Sequence, residues 1–173
     1  MTTRSARLRL VTLALALLGL TRDASAIERK GFIMGIGVGK GKMTCRNCES
    51  HVGPFASIHI GGMITEKLAL VMEFSEVGRT ADSDAFSSVL APALQYWVSP
   101  RIWIKGGVGA SHRSSGGVAY NGSKAGLAFL GGIGVDIVQK GRFAIDLQAG
   151  FTTANVEGVR ANNFMALVGF NLY

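Results

Sequence analysis

His112-Arg113-Ser114 places an imidazole two positions from a hydroxyl. Positions two apart share a face of an extended chain. The pair could therefore act as general base and nucleophile in acyl transfer, given a third group to orient the base. No Asp or Glu lies between Ser114 and Asp136 to serve as that group, and an ordinary polar loop accounts for the same residues. Cys45-Arg46-Asn47-Cys48 is the second candidate. In an oxidising compartment a local disulfide between Cys45 and Cys48 is the first expectation. A metal centre ranks second, because it needs two more ligands and only His51 is near; a thioredoxin-like redox role ranks last. The run Gly35-x-Gly37-x-Gly39 has neither the dinucleotide spacing nor a helical period after it. No cofactor and no metal is expected. Four charges, Glu73, Lys105, Asp136 and Asp146, interrupt stretches otherwise built of apolar and small residues.

Those stretches alternate. In Phe143 to Phe151 the residues Phe143, Ile145, Leu147 and Phe151 share one parity, and Asp146, Gln148 and Gly150 the other. A period of two is that of a β-strand with unlike faces. The same period recurs from Phe32 to Lys40, Pro54 to Ile64, Lys67 to Ser75, Phe86 to Val98, Ile102 to Ser111, Leu127 to Ile137 and Phe164 to Leu172. Pro92 removes a ladder donor inside the fourth stretch and suggests a bulge there. Short turns at Thr65-Glu66, Ser99-Pro100 and Lys140-Gly141 alternate with longer polar loops at Gly41 to Gly53, Glu76 to Ala85, Ser111 to Ser123 and Ala154 to Gly158. The expected fold class is all-β, an eight-stranded antiparallel up-and-down transmembrane barrel.

The chain opens on an export signal. Arg4, Arg7 and Arg9 precede an apolar run from Leu10 to Leu20, and Ala24-Ser25-Ala26 offers small residues for cleavage after Ala26. The apolar run is shorter than the ~20 residues a membrane helix requires. Residues 1–26 are thus expected to be a signal peptide and 27–173 one barrel domain. The mature part keeps 14 basic and 10 acidic residues, a net charge of +4. That is too mild to argue for nucleic acid.

The faces settle the environment. The Ile-, Leu-, Val- and Phe-rich parity opposes one built of Gly and Ala with His59, Glu73, Gln95, Lys105, Asp136, Asp146, Gln148 and Asn171. A narrow barrel in lipid needs its small and polar residues inside and its apolar ones outside. On the lipid parity, Phe32, Tyr96 and Phe143 mark one end of the strands, and Phe74, Phe86, Phe151 and Phe164 the other. Two such girdles are what interfacial anchoring requires.

With this pattern the chain resembles the small eight-stranded outer-membrane β-barrel family of the OmpA/OmpX type, porin-like in layout, over the whole mature chain. The tail Val168-Gly169-Phe170-Asn171-Leu172-Tyr173 looks like the terminal strand signal read by the barrel-assembly machinery. Tyr173 itself falls on the inner parity. The resemblance implies the outer membrane of a Gram-negative-type cell envelope, with short turns periplasmic and long loops outside. His112-x-Ser114 looks like the His-x-Ser of the lipid A deacylase barrels, which makes a lipid A-modifying enzyme the first alternative function and a narrow pore the second. The main expectation is a non-enzymatic protein with a structural or surface-interaction role through its outer loops, above all Lys42 to Val52 and Ser111 to Ser123. Its expected partners are outer-membrane lipids, lipopolysaccharide phosphates paired with Lys40, Lys42, Arg46, Arg113 and Lys124, and the assembly machinery during biogenesis. It is expected to be a monomer. Inside, Glu73, Lys105, Asp136 and Asp146 are expected to form a pairing network that plugs the lumen.

Overall fold

The computed structural model describes residues 29–45, 50–78, 85–115, 124–156 and 159–173. Eight antiparallel strands follow in chain order: β1 (Phe32–Cys45), β2 (His51–Thr65), β3 (Leu68–Val77), β4 (Ala85–Trp97), β5 (Ile102–Ser115), β6 (Lys124–Lys140), β7 (Phe143–Val156) and β8 (Val159–Leu172). Each pairs with the next, and β1 pairs with β8, so the sheet closes into a barrel with no free edge. The strands run 10 to 17 residues, against the ~9–11 that a tilted strand uses to cross a bilayer. The three short turns and both described chain ends share one end, here called the turn end; the other is the loop end.

The alternation read in the sequence is the alternation of the wall. Phe32, Ile36, Ile60, Leu70, Leu94, Ile133, Leu147 and Phe164 lie exposed on the outside. Ile33, Phe55, Val71, Val89, Trp97, Trp103 and Tyr173 are buried inside with the polar set. The exterior is thus a continuous apolar belt, as lipid requires. Its girdle residues Phe32, Tyr96 and Phe143 at the turn end, and Phe74, Phe151 and Phe164 toward the loop end, are all exposed; the Phe86 side chain lies outside the described residues.

Two expectations about the strands are corrected. First, Pro92 makes no bulge. It pairs with Met72, and the β4–β5 register is the same before it, at Leu90↔Ala110, and after it, at Ala93↔Gly107. The register shifts fall instead at Met63/Thr65 and at Asp136/Val138. The second puts both Ile137 and Val138 outside, so the wall stays apolar while Asp136 turns inward. Second, the strands outrun their apolar alternation. β7 and β8 are separated by residues 157–158 alone, where a loop from Ala154 was expected, and β5 continues to Ser115. Beyond the lipid belt both faces can be wet, so the ladder persists where the apolar pattern fades.

Candidate functional site

An eight-stranded barrel has an interior that side chains can fill, and here they fill it in tiers. Glycines on the inner face make the space. A Cβ at Gly134 would overlap the Trp103 ring, and one at Gly169 would overlap the Asp146 carboxylate and the Gln148 amide. The large inner side chains thus lie over the glycine that pairs with them on the adjacent strand, Trp103 over Gly134 and Asp146 over Gly169.

Nearest the turn end is a latch. Gly31 adopts a left-handed φ of 77°, which suits glycine, and its carbonyl accepts from Met63 N at 2.8 Å. The chain ahead of β1 thereby turns across the mouth, and Arg29 is buried there. Its Nη2 donates to the Pro100 carbonyl at 2.7 Å and to Asp136 Oδ2 at 3.3 Å. Its guanidinium carbon stands 4.7 Å from the Trp97 ring and 5.1 Å from the Tyr173 ring, distances at which a cation is attracted to an aromatic face. Trp97 and Tyr173 meet edge to face at 5.5 Å. The Tyr173 carbonyl accepts from Arg142 Nε.

Above the latch lies Asp146, opposite Asp136 on the β6–β7 ladder. Two facing carboxylates need separate partners, and they have them. Asp136 pairs with Arg29 and accepts a hydrogen bond from Gln139 Nε2 at 2.7 Å. Asp146 accepts from Trp103 Nε1 at 3.0 Å, Asn171 Nδ2 at 3.0 Å and Gln148 Nε2 at 2.9 Å. Farther up, Lys105 Nζ donates to Glu73 Oε2 at 2.5 Å, with His59 Nδ1 4.0 Å from the same oxygen. Lys105 also stands 5.1 Å from the Trp103 ring. Beside this pair a cavity of about 20 Å³, lined by Glu73, Ser75, Lys105, Leu130, Gln148 and Thr152 among others, is room for about one water. Toward the loop end Asn163 Nδ2 donates to Thr152 Oγ1 at 2.9 Å.

The four charges read from the sequence therefore all point inward, but in three groups: Glu73 with Lys105, Asp136 with Arg29, and Asp146 with neutral donors. Arg29 was missed. Its partners lie 71 and 107 positions away, and no local pattern marks it. Tyr173 was placed on the inner parity, and it is buried there.

The other candidates lie at the loop end. His112 pairs with Ser88 on β4 and with Ala125 on β6, so neither directly opposite position offers an orienting carboxylate. Ser114 is on the same strand opposite Phe86, but its side chain lies outside the described residues, as does the Arg113 side chain. Asp136 stands at the far, turn end of the barrel. Cys45 closes β1 opposite Ala161; Cys48 and the Cys45 side chain lie outside the described residues. Among the described residues no cluster of His, Cys, Asp or Glu could hold a metal ion. Lys40 and Lys42 point outward on β1 and are exposed, with Lys42 on the rung of the girdle residue Phe164. Arg160 on β8 is exposed as well.

No family model and no curated protein matches this sequence. Solved structures do. Ail, the attachment invasion locus protein of Yersinia pestis, in complex with the heparin analogue sucrose octasulfate, is 13% identical, covering 82% of this chain and 99% of its own, with a TM-score of 0.60. Neisserial surface protein A is 14% identical over 82% of this chain and 96% of its own, with a TM-score of 0.62. The N-terminal β-barrel domain of Pseudomonas aeruginosa OprF is 11% identical over 83% of this chain and 99% of its own, with a TM-score of 0.50. At these identities the likeness is one of fold.

Proposed function

We propose, from a chain that folds as the small eight-stranded outer-membrane barrels do, that this protein is an integral, non-enzymatic outer-membrane protein that acts through its loop end. The observation that carries the reading is the filled lumen. The Arg29 latch, the Asp146 hub and the Lys105–Glu73 pair occupy successive levels of the barrel, with room for about one water beside the last. A barrel stoppered in this way has its two ends to work with, and the turn end is closed by the latch and short turns. The loop end carries the β1–β2 and β5–β6 connections, in or beside which Lys40, Lys42, Arg46, Arg113 and Lys124 concentrate positive charge.

The partner chemistry this favours is a polyanion at the cell surface, the phosphates of lipopolysaccharide. Lys40 and Lys42 stand on the lipid side of the wall near the Phe164 girdle. There an ammonium meets headgroup phosphates as a charge-assisted donor. One neighbour in fold, Ail, binds a heparin analogue, also an anionic sugar. The test is retention of the folded protein on immobilised lipopolysaccharide over a salt gradient. Wild type should bind at low ionic strength and elute as salt screens the contacts. The variant Lys40→Gln/Lys42→Gln/Arg160→Gln should elute earlier. Absence of binding at low salt would overturn the lipopolysaccharide partner.

The enzyme alternative has its own check. Ser114→Ala should leave lipid A acylation in the host membrane unchanged; a lost acyl-chain modification would revive His112 and Ser114 as a catalytic pair. The cleaved signal peptide belongs to the same reading, and N-terminal sequencing of the mature protein should begin at Ile27.

A further inference from the structure

On the outer wall between β2 and β4 the large side chains leave a notch. Gly62 faces outward on β2 between Ile60 and Ile64, and a Cβ built there would meet nothing nearer than the Gly31 carbonyl at 3.6 Å. Leu70 and Met72 on β3 and the short ring of Pro92 on β4 form its other side. The notch holds about 480 Å³ and is apolar over most of its surface.

Cations stand at its lower edge. Lys67 lies in the β2–β3 turn, three residues from Leu70, or about 10 Å along the strand. The turn is held by Trp97 N donating to the Lys67 carbonyl at 2.9 Å. Lys30 precedes Gly31, which is bonded to Met63 at the end of β2; both lysines are exposed. Tyr96, an exposed girdle residue, sits on the rung of Leu68. Among the described side chains at the turn end, the cations Lys30, Lys67, Arg101, Lys140 and Arg142 outnumber one exposed acid, Glu66.

We propose that this notch is a binding site for one phospholipid with an anionic headgroup. An acyl chain lies in the gap left by Gly62, and the phosphate end reaches Lys67 and Lys30 at the rim. Apolar packing supplies retention, and the cations supply the preference for negative charge. A second copy of the chain is the poorer occupant, because a self-complementary contact here brings two cationic rims together. The inference rests on the membrane reading but not on any role of the loops.

The test uses the full chain reconstituted in nanodiscs of equal phosphatidylglycerol and phosphatidylcholine. After release into mild detergent, native mass spectrometry counts the lipids retained. Wild type should hold phosphatidylglycerol over phosphatidylcholine by at least about fivefold, the effect of a single cation beside an anionic headgroup. Lys67→Gln should reduce that preference by about that factor. Gly62→Leu should lose retained lipid of both kinds, since it fills the notch from a position with space for it. Equal retention of the two lipids by wild type would overturn the proposal. So would undiminished retention by Gly62→Leu, or a dimer mass that Gly62→Leu dissolves. Lys67→Gln changes only an exposed turn residue, so the preference remains measurable even if Gly62→Leu does not fold. The unboiled gel mobility of each sample separates failure of the site from failure of the barrel.

Discussion

Lys105 and Glu73 show how a single side chain is held in this interior. Both are buried, and inside the lumen Lys105 meets Glu73 at 2.5 Å. Removing one member leaves the other buried without compensation, which costs about 3–5 kcal/mol. Lys105→Met should therefore destabilise the barrel by that order in urea unfolding from lipid vesicles. The double variant Lys105→Met/Glu73→Gln should recover much of the loss; a double variant as unstable as the single one would show the pair is not the cause. The same logic applies to Arg29. Arg29→Ala strips Asp136 of its cation and leaves Trp97 and Tyr173 without the group between them, and a loss of about 3 kcal/mol is expected. Arg29→Lys keeps the charge but not the planar fork, so it should fall between. Equal stability of wild type and Arg29→Ala would mean that the latch contributes nothing.

At the scale of the strand, inner glycines and large inner side chains are one device. Gly134 on β6 accommodates the Trp103 ring, whose Nε1 is fixed on Asp146. That ring cannot swing away, so Gly134→Ala should cost about 1–3 kcal/mol in the same unfolding assay. Gly106 faces outward with nothing near a new Cβ, so Gly106→Ala should be close to neutral. Similar losses at both sites would contradict the placement of the two faces. The alternation that assigns these faces was legible in the sequence because a period of two survives wherever one side meets lipid. Pro92 misled for a physical reason: its missing N–H weakens one ladder but shifts no register. Of the two register shifts, the one on β6 had a signal, since Ile137-Val138 sets two large apolar residues side by side and breaks the period. Strand lengths beyond the lipid belt were not legible, because no apolar face records them.

For the molecule as a whole, the inward charges could be named from the sequence, but their partners could not. Closure brings β1 to β8 and sets Arg29 beside Tyr173, contacts between opposite ends of the chain that no local spacing encodes. With its lumen occupied level by level, the barrel should show no steady conductance in planar bilayers, and stable single-channel steps from the wild type would refute the sealed lumen. The most direct test of an apolar exterior around a polar plug is gel mobility of the protein, boiled against unboiled in mild detergent, after cell fractionation. The expected result is recovery from the outer-membrane fraction with a mobility shift on boiling, as a closed barrel resists the detergent until heated. Recovery as a soluble periplasmic protein with no shift would mean that the apolar face does not meet lipid.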